Sequence, residues 1–120
     1  MDQPTVVAVV TDLLFQSRLR EVVVRMGRRL VVADEPAALR TALADRPALV
    51  VVDLDISGLD WREAVTLARQ SAVPVLAFGR HTEAQLLRSA REAGCDRVVP
   101  RSTFVEELPK FIQRLAGATT

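Results

Sequence analysis

The side chains able to do chemistry gather where Val-rich runs end. Thr11-Asp12 closes the run TVVAVVTD, and Asp53-Leu54-Asp55 closes ALVVVDLD. Gly79-Arg80-His81 and Pro100-Arg101-Ser102 close two more. Asp12 and Asp53 end runs that a doubly wound sheet would make neighbours. Two carboxylates held together repel by about a few kcal/mol at a protein-like dielectric. They therefore call for a cation, a proton or an arginine. Oxygen ligands of this kind suit Mg²⁺, which keeps several waters and needs few protein carboxylates.

Whether those residues meet depends on the elements that carry them. The apolar runs Thr5–Thr11, Leu30–Ala33, Ala48–Asp53, Val73–Phe78 and Arg97–Pro100 are mostly β-branched at successive positions, as in strands buried on both faces. Segments with helical spacing lie between them. Leu13–Met26 carries an inward stripe from Phe15 to Met26, and Gly27 can close it as a left-handed cap. Asp34-Glu35-Pro36 opens a second helix and Asp60-Trp61-Arg62-Glu63 a third. Thr82-Glu83-Ala84-Gln85 reads as a capping box for a fourth, and Thr103-Phe104-Val105-Glu106 caps a fifth. That fifth helix carries Leu108, Phe111, Ile112 and Leu115, with Pro109 near its first turn. The alternation predicts an α/β fold: (βα)5, a doubly wound, five-stranded parallel sheet with helices on both faces. A site in such a fold lies at the carboxyl ends of the strands, near the switch point.

Composition narrows the function. At 120 residues the chain reads as a single domain, 1–120. Lys and Arg number 16 against 15 Asp and Glu, which is not the basic balance of a nucleic-acid domain. A single cysteine, Cys95, excludes an internal disulfide framework and a multi-cysteine metal site. No apolar run approaches a membrane span, and MDQPTVVAVVTD lacks the basic start of a secretory signal, so the expected address is the cytoplasm. All basic residues except Lys110 are arginines.

The element order and the segments VVAVVTD, ALVVVDLD, VPVLAF and EAGCDRVVPRS resemble the response-regulator receiver domain of two-component signalling. The resemblance covers nearly the whole chain and implies strand order 2-1-3-4-5. It places Asp53 on the phosphoacceptor, Asp12 on the second residue of the acidic pair that helps hold Mg²⁺, and the Asp55 backbone carbonyl on the third metal-ligand position. The departures are Thr11 for the first acid, Gly79 for the Ser/Thr that contacts the phosphoryl group, and Arg101 for the site lysine. Ser102 and Ser57 replace prolines, and Val98 replaces the aromatic switch residue. Lys110 lies too far along the last helix to substitute for the lysine.

These departures imply lowered Mg²⁺ affinity and a degenerate phosphorylation site, as in a pseudo-receiver. Arginine is a planar fork suited to a bidentate grip on one carboxylate. The expectation is that Arg101 pairs with Asp53 or Asp12 and takes the metal's place. The function implied is a stand-alone, non-enzymatic receiver-like signalling module that acts by protein–protein interaction. Its partners would be a histidine kinase or another signalling protein, with a homodimer through the fourth helix, fifth strand and fifth helix, and no direct nucleic-acid or membrane contact. One alternative keeps Asp53 as a working phosphoacceptor with Mg²⁺. Another is a small flavodoxin-like nucleotide or flavin binder, against which the turn TDLLFQSR offers no glycine for close phosphate approach. His81 reads as a solvated loop residue, Cys95 as a small buried filler, and Trp61 as a cover for the loop after the third strand. Arg80, Arg88, Arg91, Arg97 and Arg101 read as a solvated face around the fourth helix and fifth strand, the alternative being an interaction surface for an acidic partner.

Overall fold

Four of the five strands carry two or more valines, β4 (VLAFG) is apolar without them beyond Val75, and every helix lays an apolar stripe on the sheet. The computed structural model describes residues 5–116, with side chains through Arg114. In chain order the elements are β1 (Thr5–Val9), α1 (Leu13–Arg25), β2 (Arg29–Val32), α2 (Pro36–Ala44), β3 (Leu49–Asp53), α3 (Trp61–Gln70), β4 (Val75–Gly79), α4 (Ala84–Glu92), β5 (Arg97–Pro100) and α5 (Arg101–Ala116). The five strands are parallel in the order β2-β1-β3-β4-β5, as expected.

Because side chains alternate across a strand, each strand feeds two cores. Val7, Val9, Val50, Val52, Val75 and Ala77 face α2, α3 and α4, where Leu39, Ala64, Val65 and Leu87 cover them. Val6, Ala8, Leu49, Val51, Leu76 and Phe78 face α1 and α5, where Leu19, Val23, Phe104 and Ile112 cover them. Both faces are dry, which is why the strands are continuously apolar.

Gly27 closes α1 at φ 76°, its N–H donating to the Val24 carbonyl at 2.9 Å and that of Arg28 to Val23 at 3.0 Å. This is the left-handed cap the sequence predicts. Asp60 caps α3 by accepting from the Arg62 N–H at 2.9 Å. The start of β5 is tied to β4 reciprocally: the Val75 N–H donates to Asp96 Oδ1 at 2.8 Å, and the Asp96 N–H donates to the Val75 carbonyl at 3.0 Å.

Two helix starts differ from expectation. α4 begins at Ala84 with Glu83 as its cap residue and no side-chain cap bond, so the Thr82 capping box does not form. A turn closed by the Glu83 N–H on the Arg80 carbonyl at 3.0 Å takes Thr82 out of capping position. α5 begins at Arg101, directly after β5, so Thr103 lies inside the helix rather than capping it. Starting early brings Phe104 onto the sheet at the same level as Phe15 and Phe78. Pro109 is consequently well inside α5 rather than in its first turn. Proline has no N–H for the Val105 carbonyl four residues back, and both residues are exposed, so water can reach that carbonyl. The Leu115 side chain lies outside the described residues.

Candidate functional site at the carboxyl edge

Asp53 is the last residue of β3 and is only 4% exposed, the one buried charged residue among those described. Its Oδ1 accepts the Asp55 N–H at 2.9 Å as the chain turns out of the strand. Burial pushes its carboxyl pKa up from the ordinary 3.8. The Asp55 N–H and the Arg101 charge pull the other way, while Asp55 and Asp12 add repulsion. The carboxylate therefore sits in an incompletely compensated position.

Asp12 caps α1, its Oδ1 accepting the Phe15 N–H at 3.1 Å. Its Oδ2 faces Arg101 Nη2 at 3.6 Å, across a half-open position at the rim. The expected pairing of Arg101 with an aspartate is thus present, but the expected bidentate grip is not. The approach exceeds hydrogen-bonding distance, one Asp12 oxygen is committed to the helix cap, and aromatic rings seat the guanidinium. Arg101 Cζ lies 5.1 Å from the Phe15 ring centroid and 5.7 Å from that of Phe78. An ion pair this exposed contributes at most about 1 kcal/mol. Its effect is to hold a positive charge beside both aspartates.

The seat of Arg101 was not foreseen from sequence. Phe15, Phe78 and Phe104 form a triangular cluster: Phe78 and Phe104 stack with centroids 4.3 Å apart, and Phe15 packs tilted against them at 4.7 and 5.4 Å. The available signal was three of the four phenylalanines falling at a strand end or in the first turn of a helix that flanks it. A second unforeseen pair is Arg80 Nε to Asp55 Oδ2, at 3.6 Å. The Asp55 side chain therefore faces Arg80.

Gly79 ends β4 and is buried. A Cβ there would stand 3.3 Å from a Leu87 methyl and 3.4 Å from a Leu54 methyl, so two leucines occupy the space a side chain would need. Val98 is buried within β5 and Ser57 is exposed. His81 and Lys110 are exposed. Trp61 opens α3 and packs on the cluster containing Leu54 and Leu59. Cys95 is half-buried, and burial with Asp96 beside it pushes its thiol up to about 11, an unreactive state.

The donor set fits a divalent cation poorly. Among the described residues no three His, Cys, Asp or Glu converge as a metal cluster. Thr11 brings no carboxylate beside Asp12, and Arg101 already supplies positive charge there, so the expected set reduces to Asp12, Asp53 and the Asp55 backbone carbonyl. The arrangement neutralises acids with arginines.

The charge on Asp53 has a measurable consequence. Its folded-state pKa lies above the unfolded one, so the folded chain binds the proton more tightly. That stabilisation is present at low pH and is lost as pH rises through the folded pKa. Asp53→Asn, which keeps an acceptor for the Asp55 N–H, should therefore raise stability at pH 7 by about 1 kcal/mol, the low end for a desolvated buried polar group. Urea denaturation at several pH values should show the advantage shrinking on acidification and vanishing below pH 3.8.

No protein-family model and no curated protein matches the chain. Solved structures do. The receiver domain of NtrX from Brucella abortus superposes with TM-score 0.81 at 18% identity, covering 96% of this chain and 99% of that one. The chemotaxis response regulator CheY4 of Vibrio cholerae gives 0.79 at 19% identity, covering 94% and 98%. Full-length FixJ from B. japonicum gives 0.78 at 21%, covering 96% of this chain and 58% of that one. Against the longer NtrX chain solved in complex with ADP, this chain spans only 28% of the length.

Proposed function

We propose that this chain, which has the fold of response-regulator receiver domains, is a two-component signalling module. It works through protein–protein contact and has a degenerate phosphorylation edge. The partner class is a histidine kinase or another signalling protein, with a homodimer through α4, β5 and α5 as the arrangement receivers suggest. The observation that carries the reading is Arg101 set against Asp12 at 3.6 Å beside the buried Asp53. An arginine seated on Phe15 and Phe78 supplies the charge that Mg²⁺ would bring, without the open coordination positions that a phosphoryl oxygen needs. Gly79 supports it further, because no hydroxyl is offered at the end of β4 and leucines close the space.

Among the described residues no helix is long and apolar enough to cross a membrane. Charge is nearly balanced at +1, which supports protein partners over nucleic acid.

Trp61, the sole tryptophan, reports on the cluster beneath the β3–α3 loop. Its fluorescence should stay flat on titration with Mg²⁺, with or without beryllofluoride. A saturable change that disappears in Asp53→Asn would instead establish Asp53 as a working phosphoacceptor. Flavin or nucleotide co-purifying with the protein would move it to the class of small cofactor binders.

A further inference from the structure

The carboxyl edge continues into a groove of about 630 Å³ between the start of α1, the β4–α4 loop and the start of α5. That volume lies in the range of small-molecule sites, roughly 300–1,000 Å³. We infer that this groove binds a small amphipathic organic anion: a compound with an apolar, flat body and a carboxylate or phosphate head.

Charge decides the sign of the ligand. Arg18, Arg80 and Arg101 line the groove against one acid, Asp12. Asp12 is already engaged, through the Phe15 N–H at 3.1 Å and Arg101 at 3.6 Å. Arg18 has no ion-pair partner among the described residues, and Arg80 meets Asp55 only through Nε, at 3.6 Å, leaving the end of its fork for a ligand. Guanidinium forks match carboxylate and phosphate oxygens in pairs.

The floor decides the body of the ligand. Leu14, Phe15 and Val105 form it, with Leu14 69% and Val105 38% exposed. A second hollow of about 200 Å³ runs on from it along the α1–α5 seam, sharing Phe15, Arg18 and Val105 and adding Leu19, Val22 and Leu108. Its one acid, Glu21, is paired with Arg25 at 2.9 Å. An apolar body can lie against α1 and α5 while its head reaches the arginines. Covering the exposed leucine and valine supplies hydrophobic gain that a purely ionic ligand lacks. The groove shares Asp12 and Arg101 with the carboxyl edge, but the Asp53 side chain does not line it, so ligand binding can be read separately from any phosphoryl adduct on Asp53.

The test is an amide chemical-shift titration of the full chain with 2-naphthoate, its neutral counterpart 2-naphthylmethanol, and acetate. Naphthoate should saturate, shifting Leu14, Arg18, Arg80 and Val105, and should bind at least tenfold more tightly than either control. Arg18→Met, an exposed position on α1, should weaken naphthoate about tenfold, whereas Arg91→Met, exposed on α4, should leave it unchanged. Absence of saturation would overturn the inference. Equal binding of naphthylmethanol would reduce the groove to a greasy patch, equal binding of acetate would remove the apolar requirement, and equal loss in Arg91→Met would reduce the effect to overall charge. Any of these contradicts the assignment.

Discussion

Phe78→Ala should lower the stability of the fold by about 3–5 kcal/mol, the range for removing a buried aromatic ring. Phe78 is fully buried at the end of β4, paired in register with Asp53 on β3. It stacks on Phe104 at 4.3 Å and packs tilted against Phe15 at 4.7 Å, and so joins the first turns of α1 and α5 to the sheet. Its loss leaves a cavity that neither helix can fill without moving. It also removes one of the two rings beneath Arg101. Urea denaturation should show the midpoint falling with little change in slope. A loss below about 1 kcal/mol would mean that the aromatic cluster is not the joint described.

Gly79→Thr should cost about 2 kcal/mol, within the range for inserting atoms into a filled core. The first added carbon is nearly tolerated: it meets a Leu87 methyl at 3.3 Å, and the gain in chain stiffness over glycine in a strand, about 0.5–1 kcal/mol, offsets that crowding. Gly79→Ala should accordingly be close to neutral. The branched hydroxyl and methyl of threonine then push into Leu54, whose Cβ lies 3.5 Å away and, bonded directly to Cα, cannot retreat as a methyl can. Thermal unfolding of the two variants separates crowding from backbone effects. A threonine variant as stable as alanine would show that Leu54 and Leu87 give way to a branched side chain.

These results bear on what a single sequence conveys. The strand runs were legible because valines at successive positions have no other stable place than a sheet covered on both sides. Gly27 and Asp60 were legible because local backbone chemistry alone demands a left-handed turn at one and a side-chain acceptor at the other. Asp12 and Asp53 could be located because carboxylates ending apolar strands are conspicuous. The starts of α4 and α5 were not legible, since a turn from Arg80 to Glu83 and the seating of Phe104 on Phe15 and Phe78 are tertiary events that override a good capping pattern. The geometry of Arg101 was half legible. Its charge called for an aspartate, but the aromatic seat that limits it to a single 3.6 Å approach is assembled from three separate elements.

The buried charge of Asp53, with Arg101 beside it, bears on both the pH dependence of stability and the proposed role. The most direct measurement is the intact mass of the protein after incubation with Mg²⁺ and a small phosphodonor. The double variant Thr11→Asp/Arg101→Lys, which restores an acid and a point-charge lysine, should be measured beside it. The account predicts no phosphoryl adduct on the natural chain and a detectable one on the double variant. A near-complete adduct on the natural chain that is lost in Asp53→Asn would contradict it.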